Sequence, residues 1–442
     1  MGRTDSNALG YAPLDLEVDF DPLLDDFVTK DRKYLHFDRA LSESARESVR
    51  ATDDVLRKNS FWPLLGFTKT ERRARRDQNG DLSFVNKDRE IKFGSHSDAA
   101  LMEAYSRRLA HPYERLLKEW QLDNCVLAYR RSCGNNISQA KILFDEIRSR
   151  ERCTAIGLDI RSFFDKISHD VLADNLKLVL GVNRLDLSDF KLYKRMTSFE
   201  WVDADKLADA LTGITKPPGR ICDAKQFREI VRADGDLIQI NPNKFGIPQG
   251  TPLSGLYANI SLLSFDRCIN DYIRSIGGVY KRYSDDIALV IPHELDPIDA
   301  LKHLDSELSG IGLSVANNKT IVSKFFRQSG KLITEKEFQY LGFTFDGTRT
   351  LIRQSSLNRY YAKMSRGIKS KVRAARKEGV ARDTMYMRDL FKRYTHFGKY
   401  RNFPRYAYRA ADILNSRDIR KQLRNHMKIF KRSVKYYLDR AY

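Results

Sequence analysis

Apolar runs alternate along this chain with glycine- and proline-rich turns, and the most regular of them lies between Gly277 and Pro292. Two β-rich stretches there flank Ser284, Asp285 and Asp286, which predicts a hairpin with two adjacent carboxylates at its turn. An Asp-Asp dipeptide by itself is more typical of a solvated turn. Apolar strands rarely bring two charges inward without a partner, however, so this context favours a bound divalent cation.

The pattern before residue 150 predicts helices and short strands, with Ser97 or Asp98 as the cap of the helix that ends near Trp120. The predicted elements are a helix over Arg32–Leu65, strands at Leu82–Val85 and Glu90–Phe93, a helix from the cap to Trp120, a strand over Leu122–Arg131 and a helix over Ile137–Arg150. A basic patch, Lys69–Arg76, precedes a turn at 78–80. A solvated face is its ordinary interpretation, and a nucleic-acid contact is the alternative.

The second part of the chain alternates strands with helices. The predicted elements are a strand over Thr154–Ile160, a helix from the cap Ser168 to Leu180, a long helix from Pro252 to Gly277, a helix over Pro297–Ile311, strands near Leu313 and Thr320, a strand over Phe338–Phe345, and a mainly helical segment 351–442 that is interrupted near Gly379 and Pro404. Residues 182–242 have a mixed pattern and are interpreted as an insertion.

Composition limits the class of protein. A length of 442 residues with 42% hydrophobic residues is enough for two or three packed units. No run of some 18 apolar residues occurs, so no membrane span is expected. The five cysteines are odd in number and scattered, and the N-terminus has no export pattern. These features predict a cytoplasmic protein without a disulfide framework.

The net charge of +20 is confined to one end of the chain. Residues 351–442 contain 26 lysines and arginines against 6 aspartates and glutamates, whereas residues 1–350 contain 52 of each sign. A neutral body with a strongly basic C-terminal segment indicates a polyanionic partner.

A third carboxylate completes a constellation with the hairpin, because Asp159 ends an apolar strand while Asp285 and Asp286 lie between two others. Three carboxylates from adjacent strand ends can hold two hard divalent cations. Two such metals about 4 Å apart activate a hydroxyl and stabilise a leaving pyrophosphate. Phosphoryl transfer needs little else than positioning and charge neutralisation.

The order and content of five motifs resemble the reverse transcriptase family. The five are Gly157–His169, Gly246–Ser254, Tyr283–Asp286, Asn317–Thr320 and Gln339–Phe343. The resemblance covers about residues 95–350 and implies an α+β right-hand polymerase fold with fingers, a palm of antiparallel sheet plus helices, and a helical thumb. It implies three parts: 1–94 as an N-terminal extension and part of the fingers, 95–350 as fingers and palm including the insertion, and 351–442 as a basic thumb.

The resemblance also implies roles for residues in the first three motifs. Asp159, Asp285 and Asp286 would bind two Mg²⁺ ions, with Mn²⁺ as a possible substitute and the Ile160 carbonyl as a further ligand. Phe164 would be the steric gate that excludes a ribose 2′-hydroxyl; alternatively, Phe163 and Phe164 are both core residues.

Further nucleotide contacts follow from the same resemblance. Gln249 and Gly250 would border the incoming nucleotide, and the glycine would allow close backbone approach. Arg130, or alternatively Arg131, would contact the triphosphate. Lys319 would protonate pyrophosphate, although a surface lysine beside a turn is the ordinary expectation.

Contacts to template and primer are implied at the palm and the thumb. Tyr283, Leu341 and Gly342 would lie under the primer end. Phosphate contacts give affinity without sequence choice, so basic thumb residues would grip the duplex. The thumb residues assigned to this role are Lys369, Arg373, Lys392 and Arg393.

The expected function is therefore RNA-directed DNA polymerisation from an RNA template with dNTPs, extending a 3′ or protein hydroxyl on a DNA product or primer. The segments Lys33–Asp38 and 128–130 look most like bacterial unknown-group and abortive-infection reverse transcriptases, which implies antiphage defence with a non-coding RNA. The alternatives are a mobile-intron or retron-like enzyme, an RNA-dependent RNA polymerase, and a non-catalytic RNA-binding scaffold. No membrane partner is expected, and the sequence does not determine the oligomeric state.

Overall fold

The computed structural model describes residues 28–76, 82–316, 319–397 and 402–442. The chain divides into two compact units, each described separately below. Unit 1 contains residues up to Asp123 together with Arg161–Cys268 and Ser306–Ser314. Unit 2 contains Asn124–Ile160, Ile269–Asp305 and Val315–Tyr442. The predicted boundaries at residues 94 and 350 stay predictions.

The helices and strands are numbered in chain order. They are α1 (Glu43–Glu47), α2 (Asp53–Lys58), β1 (Leu64–Arg76), β2 (Leu82–Phe93), α3 (His96–Glu119), α4 (Asn136–Ser149), β3 (Arg152–Asp159), α5 (Phe163–Lys166), α6 (His169–Leu180), α7 (Leu187–Thr197), β4 (Glu200–Asp203), α8 (Ala204–Ala210), α9 (Ala224–Gln226), β5 (Ile238–Ile240), α10 (Ser254–Ser261), α11 (Leu263–Ser275), β6 (Val279–Tyr283), β7 (Asp286–Pro292), α12 (Pro297–Gly310), β8 (Ile321–Gln328), β9 (Lys331–Thr334), β10 (Phe338–Tyr340), β11 (Phe343–Phe345), β12 (Thr350–Ile352), α13 (Gln354–Lys377), α14 (Arg388–Tyr394), α15 (Phe403–Ile413), α16 (Arg417–Leu423) and α17 (His426–Ala441).

Unit 1 is built around a four-stranded sheet in the order β2-β1-β4-β5. The long strands β1 and β2 form an antiparallel ribbon, and β4 pairs with the start of β1 in parallel. The segment 182–242, interpreted from the sequence as an insertion, therefore supplies two strands of this sheet. Its apolar residues, including Val202 and Phe227, pack in one core with Leu65.

The segment Lys33–Asp38 fixes the start of α3 in unit 1. The Asp38 carboxylate accepts hydrogen bonds from the backbone amides of His96 and Ser97 at 2.9 and 2.8 Å. Tyr34 stacks on the His96 ring, with the ring centroids 4.8 Å apart. A carboxylate at a helix N-terminus satisfies free amides and complements the helix dipole, so this segment has a structural role.

His36 in the same segment is a neutral, completely buried histidine. Its Nδ1 accepts the Phe37 amide at 2.8 Å, so the ring proton is on Nε2. Burial lowers the pKa of His36 to about 4. The unfolded chain binds a proton near pH 6.5, so folding stability falls as the pH drops from 6.5 towards 4.

We expect this histidine to cost about 3 kcal/mol of folding stability on acidification, because each pKa unit corresponds to about 1.4 kcal/mol. Denaturant unfolding of the full-length protein at several pH values between 7.5 and 4 measures this dependence of the free energy of unfolding on pH. His36→Gln keeps a donor and an acceptor but does not titrate, so its profile is expected to be flatter. Parallel profiles for the two proteins would contradict the assignment.

Unit 2 contains a five-stranded sheet in the order β6-β7-β3-β8-β9 and a three-stranded sheet in the order β10-β11-β12. The central strand β3 pairs antiparallel with β7 and β8. Gly157 in β3 packs closely on β10, because an added Cβ would lie 3.2 Å from the Phe338 ring, which would have to shift slightly. Helix α4 packs in the same core through Phe144, which stacks on Phe345.

The C-terminal helices of unit 2 enclose a separate apolar cluster. Residues at helical spacing on α13, such as Tyr360, Met364 and Ile368, are buried against Tyr394 and Phe430. Lysines and arginines occupy the other faces of α13, for example Lys369 and Arg373. The C-terminal segment is therefore mainly helical, as predicted, with aromatic residues inside and charges outside. Its role as a thumb stays a prediction.

Several predicted elements differ from the structure. The helix over Arg32–Leu65 is wrong: only α1 and α2 form, and Leu64 already begins β1. The strand over Leu122–Arg131 is a single bridge between Val126 and Arg282. The strand over Phe338–Phe345 is a hairpin of β10 and β11, and the helix after Pro252 is divided into α10 and α11. The predicted turn at 78–80 lies outside the described residues.

The mixture of helices and mainly antiparallel sheets is the predicted α+β polymerase fold class. Within the described part of the chain, every helix is too short or too polar to span a bilayer.

Candidate active site

The three predicted metal ligands come together at one edge of the five-stranded sheet of unit 2. Asp159, the last residue of β3, is the register partner of Asp286, the first residue of β7. Side chains of directly opposed residues leave the same face of a sheet, roughly 5 Å apart at Cα. Asp285 precedes this pair, and its carbonyl accepts the Ile160 amide at 3.0 Å.

A tight turn presents the two adjacent aspartates. Tyr283 pairs with Asp286, so Ser284 and Asp285 form a two-residue loop. Ser284 has a φ of 63°, a left-handed conformation that is costly for a residue other than glycine. The Ser284 hydroxyl lies 3.2 Å from the hydroxyl of Tyr129, which itself has a φ of 60°. The strain concentrates where the carboxylates are held.

A buried arginine on β6 supports the turn through a hydrogen bond. Arg282 is completely buried, and its guanidinium donates to the Ser284 carbonyl at 3.1 Å. The backbone of Arg282 also bonds the segment around Val126. The Arg282 amide donates to the Cys125 carbonyl, and the Leu127 amide donates to the Arg282 carbonyl. This short ladder covers the outer edge of β6 and fixes the strand that leads to the turn.

The electrostatics of the cluster disfavour three ionised carboxylates. Burial, followed by repulsion from Asp159, raises the pKa of Asp285. Burial, followed by repulsion from Asp285 and Asp159, raises the pKa of Asp286 to about 7. The positive charges of Arg353 and Lys319 oppose this shift. A bound cation would favour the ionised forms further.

Lys319 binds the carboxylate cluster directly. Its Nζ lies 2.5 Å from Asp159 Oδ1, and its amide donates to Ala316, whose own amide donates to the Asp159 carbonyl. Lys319 is thus an exposed lysine that is paired with Asp159, and its role towards pyrophosphate stays a prediction. The preceding motif residues, 317–318, lie outside the described residues.

The donor set fits a hard divalent cation. It offers carboxylate oxygens of Asp159, Asp285 and Asp286, which are the ligands that Mg²⁺ prefers. Two of these groups have raised pKa values in the protein alone. Ile160 follows directly in the chain and is bonded through its amide to the Asp285 carbonyl, which leaves it beside the cluster.

A second tight turn lies in the same unit. Leu341 and Gly342 connect β10 to β11 with φ values of 47° and 92°, as in the hairpin turns that match sheet twist. The Leu341 carbonyl accepts the Asn136 side-chain amide at 3.2 Å, and the Gly342 carbonyl accepts the Arg353 amide at 3.0 Å. These bonds join the predicted primer-contact turn to α4 and to the start of α13.

Arg130 and Tyr283, predicted to contact the triphosphate and the primer end, differ in burial. Arg130 is 8% exposed, and its guanidinium donates to the Val126 carbonyl, whereas Arg131 is exposed. Tyr283 is half-buried; burial, followed by Tyr129 and Asp286, raises its pKa. The triphosphate role of Arg130 stays a prediction.

The predicted nucleotide-border residues Phe164, Gln249 and Gly250 belong to unit 1. Phe163 is 3% exposed and Phe164 is partly exposed, so one ring is core and the other is accessible. The Gln249 carbonyl accepts the Lys92 amide at 2.7 Å. An added Cβ on Gly250 would lie 2.8 Å from the Lys92 carbonyl, and the φ of Gly250 is 121°. Gly250 is thus required by its close approach to the backbone of β2, a reason that the sequence did not indicate.

The predicted thumb contacts are on the surface of the C-terminal helices. Lys369, Arg373 and Arg393 are exposed, and Lys392 is partly exposed. They lie on α13 and α14, two helices that pack against one another around Tyr394.

Sequence reasoning missed four residues that position the site: Tyr129, Arg282, Asn136 and Arg353. Arg282 had a usable signal, since period-two alternation puts it on the same buried face as Tyr280. The others had no local signal, because their partners are distant along the chain.

Comparisons with known proteins agree with this geometry. Residues 196–345, about a third of the chain, match the sequence profile of the family described as reverse transcriptase (RNA-dependent DNA polymerase). This segment contains Asp285, Asp286 and the Gly246–Ser254 motif. The match supports a nucleic-acid polymerase domain of the reverse transcriptase type. No curated protein matched the chain.

The solved structures to which the chain is similar include telomerases and a viral polymerase. Apo telomerase from Candida tropicalis is 11% identical over 84% of this chain and 64% of that chain, with a TM-score of 0.44. The same telomerase truncated from its C-terminal domain is 12% identical over 65% and 55%, with a TM-score of 0.42. The RNA-dependent RNA polymerase of a human picobirnavirus is 10% identical over 65% and 43%, with a TM-score of 0.36. This chain therefore spans less than two thirds of each of these three chains.

Proposed function

We propose that this protein is an RNA-directed DNA polymerase whose metal centre is formed by Asp159, Asp285 and Asp286. The observation that carries the proposal is the convergence of these three carboxylates on one sheet edge, at a strained turn. The family match over 196–345 supports the same class of reaction. Incorporation of labelled dNTPs on a primed RNA template tests the proposal.

Magnesium, with manganese as a possible substitute, would be held by the three aspartates and the Ile160 carbonyl. When bound, two such ions supply activation of the attacking hydroxyl and charge stabilisation of the leaving pyrophosphate. The protein's own residues hold the carboxylates: Arg282 bonds the turn, and Lys319 pairs with Asp159. Lys319 would donate a proton to the leaving pyrophosphate. The Leu341–Gly342 turn would orient the primer end.

Phe164 is proposed to select deoxynucleotides. Its ring is partly exposed, while Phe163 is buried. We expect Phe164→Ala to reduce discrimination against ribonucleotides by about 100-fold, because a removed ring opens the space that a 2′-hydroxyl needs. The ratio of kcat/KM for dNTP and rNTP measures this effect. Phe163→Leu is the control, since it changes the core but not the gate; an unchanged ratio in Phe164→Ala would exclude the gate.

An RNA-dependent RNA polymerase is the main alternative, because it would use the same carboxylates. Phe164 and Gln249-Gly250 favour the DNA-making enzyme over it. A non-catalytic scaffold is disfavoured, since all three aspartates are present and grouped.

The proposed partners are an RNA template, a DNA product or primer, and dNTPs. Exposed basic residues of α13 and α14, Lys369, Arg373 and Arg393 among them, would contact duplex phosphates. Priming from a 3′ hydroxyl and from a protein hydroxyl are both open. Protease digestion of labelled product distinguishes them, because only protein-primed DNA stays attached to peptide.

We further propose a cytoplasmic role in bacterial antiphage defence with an associated non-coding RNA. The support is that the segments Lys33–Asp38 and 128–130 resemble those of bacterial unknown-group and abortive-infection reverse transcriptases. In the structure the first segment caps α3, and the second contacts Ser284. Phage plating on cells that carry the protein, compared with cells that carry Asp286→Asn, tests this role. Equal plating on both would exclude a defence role that depends on polymerisation.

A further inference from the structure

A basic groove lies in unit 2 between the last turns of α13 and the end of α17. Its volume is about 670 Å³, and none of the described residues that line it is acidic. The lining includes five cations and one exposed aromatic ring: Lys369, Arg373, Arg376, Lys377, Arg440 and Tyr436. Like charges gather in this way at the cost of mutual repulsion, which a bound polyanion offsets.

The groove is far along α13 from the carboxylates. Helix α13 begins at Gln354, next to the Leu341–Gly342 turn, and rises about 1.5 Å per residue. Lys369 and Lys377 are therefore about 22 and 35 Å from its first residue. Contacts at this distance are separate from those that position a primer end.

The wall formed by α17 adds an aromatic surface to the charges. Tyr436 is 46% exposed, and the Arg440 guanidinium lies 4.6 Å from its ring centroid and donates to its hydroxyl. Tyr437 bonds Ser365 of α13 at 2.7 Å, which fixes the two helices to each other. The nearby acid Asp439 is paired with Arg382 at 2.5 Å. The groove is thus preorganised.

We propose that this groove binds single-stranded nucleic acid, with phosphates on the cations and one base against Tyr436. A duplex hides its bases and would meet only the charges, whereas a single strand meets both the charges and the ring. Basic grooves with exposed aromatics are the common architecture of single-strand binding. The site goes beyond the proposed polymerase reaction and does not depend on it. It assigns Lys369 and Arg373 to a single strand in place of the duplex contact proposed above, and it leaves Lys392 and Arg393 of α14 to the duplex.

Fluorescence anisotropy of labelled 12-residue RNA and DNA oligonucleotides tests the site in the full-length protein. Measurements in the Asp286→Asn background separate binding from catalysis, and saturating blunt template–primer duplex occupies the polymerase site. With five phosphate contacts, the logarithm of affinity is expected to fall with that of salt at a slope of about −3.5. Arg376→Gln/Lys377→Gln/Arg440→Gln should reduce this slope to about −1.4.

Tyr436→Ala should lower single-strand affinity about tenfold and leave the salt slope unchanged, because a stacked base carries no charge. Tyr442→Ala is the matched control, since Tyr442 is 47% exposed and does not line the groove. Lys428→Gln/Lys435→Gln removes charges from the opposite face of α17 and should have little effect on the slope.

Three results would overturn the proposal. They are displacement of the single strand by blunt duplex, equal losses in the groove and control variants, and competition by free dNTP as strong as that by the oligonucleotide. A preference for RNA would indicate a bound RNA as the natural occupant, and a preference for DNA would indicate the product strand; either supports the site.

Discussion

Asp286→Asn is expected to lower nucleotide incorporation by about three orders of magnitude or more, since a group required in the transition state is removed with little change of shape. Asp286 is opposite Asp159 in the sheet and next to Asp285, so its charge belongs to the group of three carboxylates proposed to bind the metal. Steady-state incorporation on a primed RNA template measures the loss.

The same substitution is expected to stabilise the metal-free protein. The folded pKa of Asp286, about 7, is above the unfolded value near 3.8. The folded state therefore binds more protons between these values, and the cost of ionising Asp286 grows as the pH rises from about 4 to 7. Removing the charge should recover as much as about 4 kcal/mol above pH 7 and nearly nothing at pH 4.

Denaturant unfolding in the presence of a chelator, at pH 5 and pH 8, measures this gain. Added Mg²⁺ should stabilise the unsubstituted protein and have less effect on Asp286→Asn, because ligand binding stabilises only a site that holds it. Asp296→Asn, an exposed carboxylate outside the cluster, is the control. A variant that is inactive but less stable than the unsubstituted protein would indicate a structural defect instead.

Gly250→Ala is expected to destabilise unit 1 by about 3 kcal/mol. Its Cβ would lie 2.8 Å from the Lys92 carbonyl, and a φ of 121° is strained for alanine. Either Gly250 or β2 must then move, which breaks the bond from the Lys92 amide to the Gln249 carbonyl. We expect a higher KM for dNTPs in addition to the loss of stability.

Gly213→Ala separates the two causes. Gly213 is also in unit 1 and has a φ of 78°, but nothing lies within 4 Å of its added Cβ. It should cost about 1 kcal/mol from backbone strain alone. Equal effects of the two substitutions would show that the contact with Lys92 is unimportant.

The hairpin at Asp285 and Asp286 was predictable because its signals are local. Runs of β-forming residues on either side of the Ser-Asp-Asp turn define β6 and β7, and the apolar strand β3 ends at Asp159. The pairing of β3 with β7 was not in the sequence pattern itself, and the order of motifs supplied it. The helix Asn136–Ser149 and the cap Ser168 were also found from local spacing.

The remaining parts depend on contacts between distant residues. The segment 32–65 contains helix-forming residues, but Phe37 and Leu65 are drawn into a core with residues of 202–231, and the helix does not form. The segment 122–131 has the pattern of a strand, but it pairs with β6 only through two backbone hydrogen bonds to Arg282. The contact of Tyr129 with Ser284 joins residues that are 155 positions apart, so local spacing could not indicate it.

The central claim is tested most directly by nucleotide choice on an RNA template. The protein is given a primed RNA, Mg²⁺ and either dNTPs or rNTPs, and the product is treated with deoxyribonuclease or ribonuclease. We predict a deoxyribonuclease-sensitive product that requires the divalent cation and is absent with Asp286→Asn. A product made preferentially from rNTPs, or one that persists with Asp286→Asn, would contradict the account.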